Sequence, residues 1–435
     1  MIGAGVTGLA VGMASDARVY ERAAGPGGIC RSTYRRPGDP TAHAHPPPED
    51  DAYRFEVGGG HWIFGGEPDV LDLLDRLAPS TTYRRRAAAR IGDVVVPYPV
   101  QDHVDALGPD VARRVAADRR APAPPPAGEP TLERWLGSTF GPTLHGLFFA
   151  PFNDRYTAGL FRQVVAQDDY KSPTFPADRG PSAPARGYND EFRYPVGGLD
   201  ALAGAMAARC DIRYGSEVTA IDTDRRALRF ADGSVAPYER LVSTLPLPEA
   251  VRLAGVPVDG EPDPHTSVLV LNIGAERGPD CPDVHWLYET RSDAGFHRLG
   301  FYSNVDRSFL PAAHRQAGDR VAIYVERAYP GDAPPTAEER DGYRDAAVRE
   351  LQQRGYIGAV EALDPSWVDV AYTWRRPGST WRERAIVALE GAGVHQVGRY
   401  ATWHFQGIAE SVRDGLALGE RLAGAPPPTE PTGVR

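Results

Sequence analysis

The chain has 435 residues, which is enough for two or more domains with substantial hydrophobic cores. Its formal net charge of −10, from 48 Lys and Arg against 58 Asp and Glu, argues against a nucleic-acid partner. The three cysteines lack C-x-x-C spacing, which indicates no metal or disulfide framework, and no apolar run approaches the ~20 residues of a membrane helix. No signal peptide precedes the first motif, so the sequence predicts a cytoplasmic protein without a membrane partner.

The first predicted elements are a very short strand, a turn with the spacing G-x-G-x-x-G, and a helix. Gly3 allows the tight turn, Gly5 lets the backbone approach a pyrophosphate, and Gly8 lets the helix pack closely on the sheet. The phosphates would then lie at the positive end of that helix. A second strand ends in Glu21, whose carboxylate is positioned to accept hydrogen bonds from a ribose diol. Met1 lies so close to the motif that the first strand is very short or the natural start lies upstream.

Two further glycine-rich loops follow. Residues 25–32 (Gly-Pro-Gly-Gly-Ile-Cys-Arg-Ser) place Gly28 and Arg31 after the acidic strand end, a pairing that favours FAD over NAD. Residues 57–66 contain three successive glycines, of which Gly59 and Gly60 let the backbone pass close to a flat ligand. His61 comes next, where its side chain could meet the ring of that ligand.

Near the C-terminus a strand ends at Gly398 and Arg399, and a helix opens at about Gly407. The start of that helix offers unpaired N–H groups and partial positive charge, which suit the anionic side of a reduced flavin, whereas Arg399 suits the pyrophosphate. Together with the first motif, this late turn predicts FAD as the cofactor. The remaining predicted cofactor contacts are Val218, Gln406, Gly407 and Ile408.

The pattern along the chain predicts an α/β fold, in which a Rossmann-like FAD-binding domain of the glutathione reductase type carries inserted helical and antiparallel-sheet substrate domains. The main predicted helices are 67–78, 199–209, 336–354 and 407–423, and a mobile loop is predicted at 172–186. The FAD-binding domain is predicted in three parts, and the boundaries along the chain are 1–100 (first part), 101–190 (mainly helical insertion), 191–250 (middle part), 251–385 (antiparallel-sheet substrate domain), 386–423 (C-terminal part) and 424–435 (disordered tail).

Several stretches spread over nearly the whole chain resemble UDP-galactopyranose mutase, especially its eukaryotic-type branch and bacterial relatives. The stretches are 59–64 (Gly-Gly-His-Trp-Ile-Phe), 97–101 (Pro-Tyr-Pro-Val-Gln), 150–153 (Ala-Pro-Phe-Asn), 187–195 (Gly-Tyr-Asn-Asp-Glu-Phe-Arg-Tyr-Pro), 285–288 (His-Trp-Leu-Tyr) and 296–298 (Phe-His-Arg). The glycine motifs are shared more widely, with protoporphyrinogen oxidases and amine oxidases among others.

The resemblance implies interconversion of the pyranose and furanose forms of a nucleotide sugar. In the mutase family the N5 atom of reduced FAD attacks the anomeric carbon and displaces UDP, without net redox change. The resemblance assigns catalytic roles to His61, Tyr288 and Arg298, and it adds Asn153, Asn189 and Arg193 to the substrate contacts of Tyr288 and Arg298. NAD(P)H is one candidate electron donor, and the oligomeric state stays open.

The sequence also departs from that family. After 151–153 the family usually carries a lysine and then a tryptophan, whereas Asp-Arg-Tyr-Thr stands at 154–157, and acids dominate at 167–171 where an arginine is expected. A flavin-dependent oxidoreductase, either oxidase or desaturase, is therefore the alternative. Lys171 is the single lysine and lies in a charged segment, which argues against the amine oxidases that hold a water on a lysine near N5. A flavoprotein without catalysis is the third hypothesis.

Overall fold

The computed structural model describes residues 1–124, 126–166, 175 and 189–424. The tail predicted after 424, the loop predicted at 172–186 apart from Phe175, and Lys171 lie outside the described residues. None of the described helices combines the length and the apolar character needed to cross a membrane.

The helices start where the sequence supplies starting residues. Pro68 and Pro109 begin two of them, and a capping box begins another, because Thr336 Oγ1 accepts from the Glu339 amide at 3.2 Å and Glu339 Oε2 accepts from the Thr336 amide at 2.7 Å. The helices are α1 Val6–Ser15, α2 Pro68–Leu77, α3 Pro109–Arg120, α4 Leu132–Leu144, α5 Ala150–Tyr156, α6 Leu199–Ala207, α7 Leu247–Ala254, α8 Tyr302–Val305, α9 Ala337–Gln353, α10 Trp381–Gly391 and α11 Ile408–Gly424.

The strands fall into one long sheet and several short pairs. They are β1 Val19–Tyr20, β2 Ser32–Arg35, β3 Tyr53–Glu56, β4 Ser80–Arg84, β5 Ala87–Ile91, β6 Val94–Pro97, β7 Glu191–Pro195, β8 Ile212–Arg213, β9 Val218–Asp222, β10 Ala227–Phe230, β11 Val235–Pro237, β12 Leu241–Ser243, β13 His265–Arg277, β14 Trp286–Glu289, β15 Arg298–Phe301, β16 Arg320–Pro330, β17 Ile357–Thr373 and β18 Val394–Gln396.

A small parallel sheet carries the first glycine turn. Strand β1 pairs with β8, β12 pairs with β18, and Ile2 bridges the two pairs through parallel contacts to Tyr20 and Ser243. The strand before the glycine motif is therefore a single bridging residue. Helices α1 and α11 pack against each other beside this sheet, where a Cβ on Gly415 would lie 2.5 Å from the Thr7 carbonyl oxygen. This arrangement confirms the predicted α/β fold class.

A seven-stranded sheet forms the larger half, in the order β17-β13-β16-β15-β14-β5-β6. Its β13 and β16 are long and apolar on both faces, and successive residues alternate between two cores. Leu269 and Leu271 pack with α9 in one core, whereas Val268 and Val270 face the opposite side of the sheet. This alternation decides which side chains of the sheet reach the functional site.

The long sheet differs from the prediction in two respects. It is mixed, because β5 pairs in parallel with β14, and β5 and β6 extend it although the sequence predicts residues 1–100 within the FAD-binding domain. The small side chains of Ala87, Ala88 and Ala89 are buried in this position. Strand β17 contains Pro365, and its pairing with β13 shifts register at three places.

Candidate functional site

A cavity of about 1560 Å³ opens between the parallel sheet and the long sheet. Its wall runs from Glu21 and Val218, past both glycine loops, to Arg298 and Tyr372 on the long sheet. Typical small-molecule pockets measure roughly 300–1,000 Å³, so this cavity has room for a dinucleotide and for a second molecule beside it.

The three glycines of the first motif have three different surroundings. Gly3 adopts a φ of 95°, which favours glycine, and a Cβ on Gly8 would lie 1.9 Å from the Gly3 carbonyl oxygen. Gly5 has an ordinary φ of −68°, and beyond its own chain neighbours no protein atom lies within 4 Å of the position that its Cβ would take. Gly5 therefore leaves open space at the start of α1, where a phosphate can approach the backbone.

The acidic strand end and the second glycine loop lie beside this turn. The carboxylate of Glu21 accepts hydrogen bonds from the Ala4 amide at 2.7 Å and the Ala23 amide at 2.8 Å, which fix its orientation. Gly28 has a φ of 60° and lies against Gly5, and Arg31 donates from Nε to the Gly28 carbonyl at 2.9 Å. Glu21, Gly28 and Arg31 all line the cavity.

The C-terminal turn closes the same cavity. Gly398 has a φ of 88° and touches Thr7 of α1, and Arg399 donates from Nη2 to the Ala371 carbonyl at 2.5 Å while its guanidinium lies 4.4 Å from the Phe405 ring centre. Both residues line the cavity together with Ile408.

One expectation for this turn is corrected. The sequence predicts unpaired N–H groups at the start of this helix, but the Gly407 amide donates to Glu410 Oε2 at 2.8 Å, because the side chain of Glu410 folds back over the start of α11. The neighbouring Gln406 donates from Nε2 to Asp414 at 2.6 Å. Gln406 and Gly407 line the cavity.

The loop of successive glycines rests directly on β16. A Cβ on Gly60 would lie 2.0 Å from the hydroxyl of Tyr324, and one on Gly59 would lie 2.8 Å from Glu326 Oε1. Side chains at either position would therefore push this loop off the sheet, which explains the glycines. Gly60 lines the cavity, whereas Gly59 is turned toward Glu326.

His61 follows these glycines and lines the cavity. Burial lowers the pKa of His61 to about 4, and the nearby guanidinium groups of Arg399 and Arg298 lower it further than Glu326 raises it. The imidazole is therefore neutral at neutral pH and keeps one nitrogen as a donor and one as an acceptor.

Arg298 stands in a row of facing residues that crosses four strands. It is opposite Tyr288 of β14 on one side and Glu326 of β16 on the other, and Glu326 is in turn opposite Val270 of β13. Arg298 donates to Glu326 through Nε at 2.9 Å and Nη2 at 2.6 Å. Burial opposes the ionisation of Glu326, but Arg298 and His297 outweigh it and lower the pKa of this carboxyl to about 2. The pair is ionised, and Arg298, Glu326 and Val270 line the cavity.

Residues 130–415 match the family model described as flavin-containing amine oxidoreductase. The chain belongs to this family. It is therefore a flavin-dependent enzyme, and FAD is the flavin that its dinucleotide turn predicts.

Solved structures of this flavin oxidoreductase fold have different activities. The chain is similar to reduced UDP-galactopyranose mutase, with a TM-score of 0.83, 19% identity, and 97% of this chain and 94% of that chain covered. It is also similar to cyclohexylamine oxidase from Brevibacterium oxydans IH-35A, with a TM-score of 0.60, 14% identity and 97% of each chain covered. A third similar structure is a fatty acid isomerase from P. acnes that produces CLA, with a TM-score of 0.55, 17% identity and 97% of each chain covered. At these identities the likeness supports the fold.

The residues of this flavin enzyme fit FAD. The open space at Gly5 adjoins the start of α1, and the Glu21 carboxylate is fixed on the same side of the cavity. Such a turn holds a pyrophosphate on backbone N–H groups, and the acid that follows holds a ribose diol. Val218 lines this end of the cavity, and the Gly60–His61 loop lines the other end.

Three residues predicted to bind or act on the substrate lie elsewhere. Tyr288 is 6% exposed and packs on Tyr98 with ring centres 4.7 Å apart, Asn153 donates to the Phe149 carbonyl at 2.8 Å within its own helix, and Arg193 pairs with Asp75 at 2.6 Å. None of these three is in the described wall of the cavity, whereas Asn189 and Arg298 are. Residues 187 and 188 of the 187–195 stretch lie outside the described residues.

Glu326 is a residue of the site that sequence analysis misses. Within the apolar run of β16 a single acid shows no partner, because its partner Arg298 belongs to the preceding strand. The signal that could have revealed it is an ionisable residue on a buried strand, which must be paired. The pairing itself needs the register between β15 and β16.

Proposed function

We propose that this flavin enzyme interconverts the pyranose and furanose forms of a nucleotide sugar. The structural similarity to UDP-galactopyranose mutase supports this proposal. The observation that carries the proposal is the guanidinium of Arg298 in the cavity wall near His61. Its Nε and Nη2 donate to Glu326, and no hydrogen bond from Nη1 is found among the described residues. Nη1 is therefore an oriented donor available to a diphosphate.

The neutral His61 and the glycine loop would form the other wall of the reaction space. Reduced FAD supplies the nucleophile for this chemistry when it is bound. A neutral imidazole can donate one hydrogen bond without adding a charge beside the cofactor. Arg298 would stabilise the charge that develops on the leaving diphosphate, since oriented donors act most strongly on groups that gain charge in the transition state.

The test is turnover of UDP-galactofuranose by the holoenzyme, with and without prior reduction by dithionite, followed by separation of the two sugar nucleotides. We expect conversion only with reduced flavin, without stoichiometric use of reductant. NADPH in place of dithionite tests the predicted electron donor. In the variant Arg298→Met we expect kcat to fall about 10²–10³-fold, the effect of removing one oriented donor, while FAD stays bound.

Arg193→Met is the matched control, since this arginine pairs with Asp75 away from the cavity. We expect it to turn over like the unmodified enzyme. Absence of conversion with reduced flavin contradicts the mutase proposal, and conversion that survives Arg298→Met contradicts the role of Arg298.

A second candidate is a flavin-dependent oxidoreductase acting on a small amine or alcohol. The observation that favours it is charge: the described cavity wall carries six acids and five arginines, and Glu326 compensates Arg298. Such a wall attracts a dianionic diphosphate weakly once the cofactor's own phosphates are bound. We expect an oxidoreductase to bleach its flavin when mixed anaerobically with its substrate and to release peroxide when oxygen is admitted, whereas the mutase does neither.

A further inference from the structure

We propose that Glu326 is a positioning residue that keeps Arg298 in one orientation and balances its positive charge in the cavity wall beside His61. The proposal needs only the flavin that the family uses. It does not depend on nucleotide-sugar turnover, so it can stand or fall separately from the proposed function.

The geometry of the pair is the first observation. Glu326 and Arg298 face each other in register on β16 and β15, and two parallel hydrogen bonds of 2.6 and 2.9 Å join them. Glu326 is 1% exposed. A paired guanidinium and carboxylate in this arrangement share one plane, so rotation of the Arg298 side chain would break both bonds.

The surroundings of Glu326 are the second observation. His297 lies 3.5 Å away through Nε2, and Glu326 Oε1 lies directly beneath Gly59 of the loop that leads to His61. The charged groups that act on His61 are Arg399, Glu326 and Arg298, two cations and one acid. Without the carboxylate, two uncompensated guanidinium groups would remain near the imidazole.

The expected consequence concerns negative charge in the cavity. Unpaired positive charge stabilises an anion close to it, and the effect is large where water is excluded. Sulfite is a suitable probe, because its lone pair forms a bond to N5 of oxidised flavin and leaves the flavin reduced by two electrons and negatively charged. Its binding bleaches the visible flavin absorbance and needs no substrate.

The experiment is a sulfite titration of the FAD-loaded enzyme. We expect Glu326→Gln, which removes the charge and nearly preserves the shape, to bind sulfite at least about tenfold more tightly than the unmodified enzyme. The midpoint potential of the flavin should rise in the same variant. Glu326→Asp keeps the charge and should stay close to the unmodified enzyme in both measurements.

Two further variants separate this role from a merely structural one. Glu350→Gln is the matched control, since Glu350 is also a buried acid that pairs with an arginine, Arg354, at 2.5 Å, but it is not among the described residues of the cavity wall. It should alter stability and leave the sulfite affinity unchanged. The double variant Arg298→Met with Glu326→Gln removes both charges and should return the affinity to that of the unmodified enzyme.

The double variant also tests the idea if Glu326→Gln fails to fold, because replacing both members of a buried ion pair is better tolerated than leaving one charge unpaired. In that case the proposal is tested by comparing the sulfite affinity of the double variant with that of Arg298→Met alone. The single Arg298 variant keeps an unpaired carboxylate and should bind sulfite more weakly than the double variant. Equal affinities in the two, or unmodified affinity in a folded Glu326→Gln, would overturn the proposal.

Discussion

Replacing Gly5 and Gly8 separately by alanine should affect two different properties of the protein. Gly5→Ala should weaken FAD binding, whereas Gly8→Ala should lower the stability. Both belong to the same turn, and both changes add one methyl group. At Gly5 that methyl group would stand in open space within the cavity, where the backbone has a φ of −68° and a ψ of 170° that any residue adopts. At Gly8 it would lie 1.9 Å from the carbonyl oxygen of Gly3 and 2.8 Å from the end of the Met1 side chain.

The magnitudes follow from these surroundings. Gly8→Ala forces a methyl group against the Gly3 carbonyl oxygen, which can yield only if the backbone moves. The loss of unfolding free energy should therefore reach at least the ~3 kcal/mol upper end of overpacking changes. Gly5→Ala gains ~0.4–1 kcal/mol from the less flexible unfolded chain and loses a similar amount because alanine is a poor N-cap, so the stability of the cofactor-free protein should change little. Its methyl group occupies the approach to a pyrophosphate, and we expect FAD affinity to fall at least about tenfold.

Denaturant unfolding of the cofactor-free proteins measures the first effect, and quenching of FAD fluorescence on titration measures the second. We expect Gly8→Ala to be unstable, and Gly5→Ala to be stable but to bind FAD weakly. If Gly5→Ala binds FAD as tightly as the unmodified protein, the cofactor's phosphates do not lie at this turn. If Gly8→Ala unfolds at the same denaturant concentration, the close packing of α1 on the first turn is wrong.

Three further outcomes are expected. Burial raises the pKa of Glu56 to about 7, so the folded protein holds this proton more tightly than the unfolded chain, and stability should fall as pH rises from about 4.5 to about 7. Between pH 5 and pH 8, Glu56→Gln should lose up to ~3 kcal/mol less unfolding free energy than the unmodified protein. An equal loss in the two proteins would contradict this role of Glu56. Asn153→Ala should lose ~1–3 kcal/mol of stability, since it removes a buried hydrogen bond, with unchanged FAD affinity; a normal melting temperature would contradict its structural role. Arg193→Ala breaks a half-exposed pair with Asp75 and should cost less than ~1 kcal/mol in the same assay.

The sequence predicts the conformation of the glycine turn before α1 well, because its features are local. The tight turn at Gly3, the open position at Gly5 and the close packing at Gly8 all depend on residues that lie within one strand and one helix. The continuous apolar runs of β13 and β16 are likewise visible in the sequence, since such a run needs no partner to be recognised.

The substrate wall could not be predicted in the same way. The family resemblance gives the position of Asn153 and Arg193 along the chain, but the face of the helix or strand on which each stands decides whether it reaches the cavity. Asn153 bonds to its own helix, and Arg193 turns toward α2. The pairing of Glu326 with Arg298 could not be predicted either, because it depends on the register between β15 and β16.

The packing of α1 against α11 has a consequence for how the protein is made. Thr7 and Gly415 touch, yet almost the whole length of the sequence separates them. During synthesis α1 therefore cannot pack against α11 until nearly all of the chain has left the ribosome. Until then the apolar surface of α1 that α11 covers is exposed, and exposed apolar surface on an unfinished chain favours aggregation.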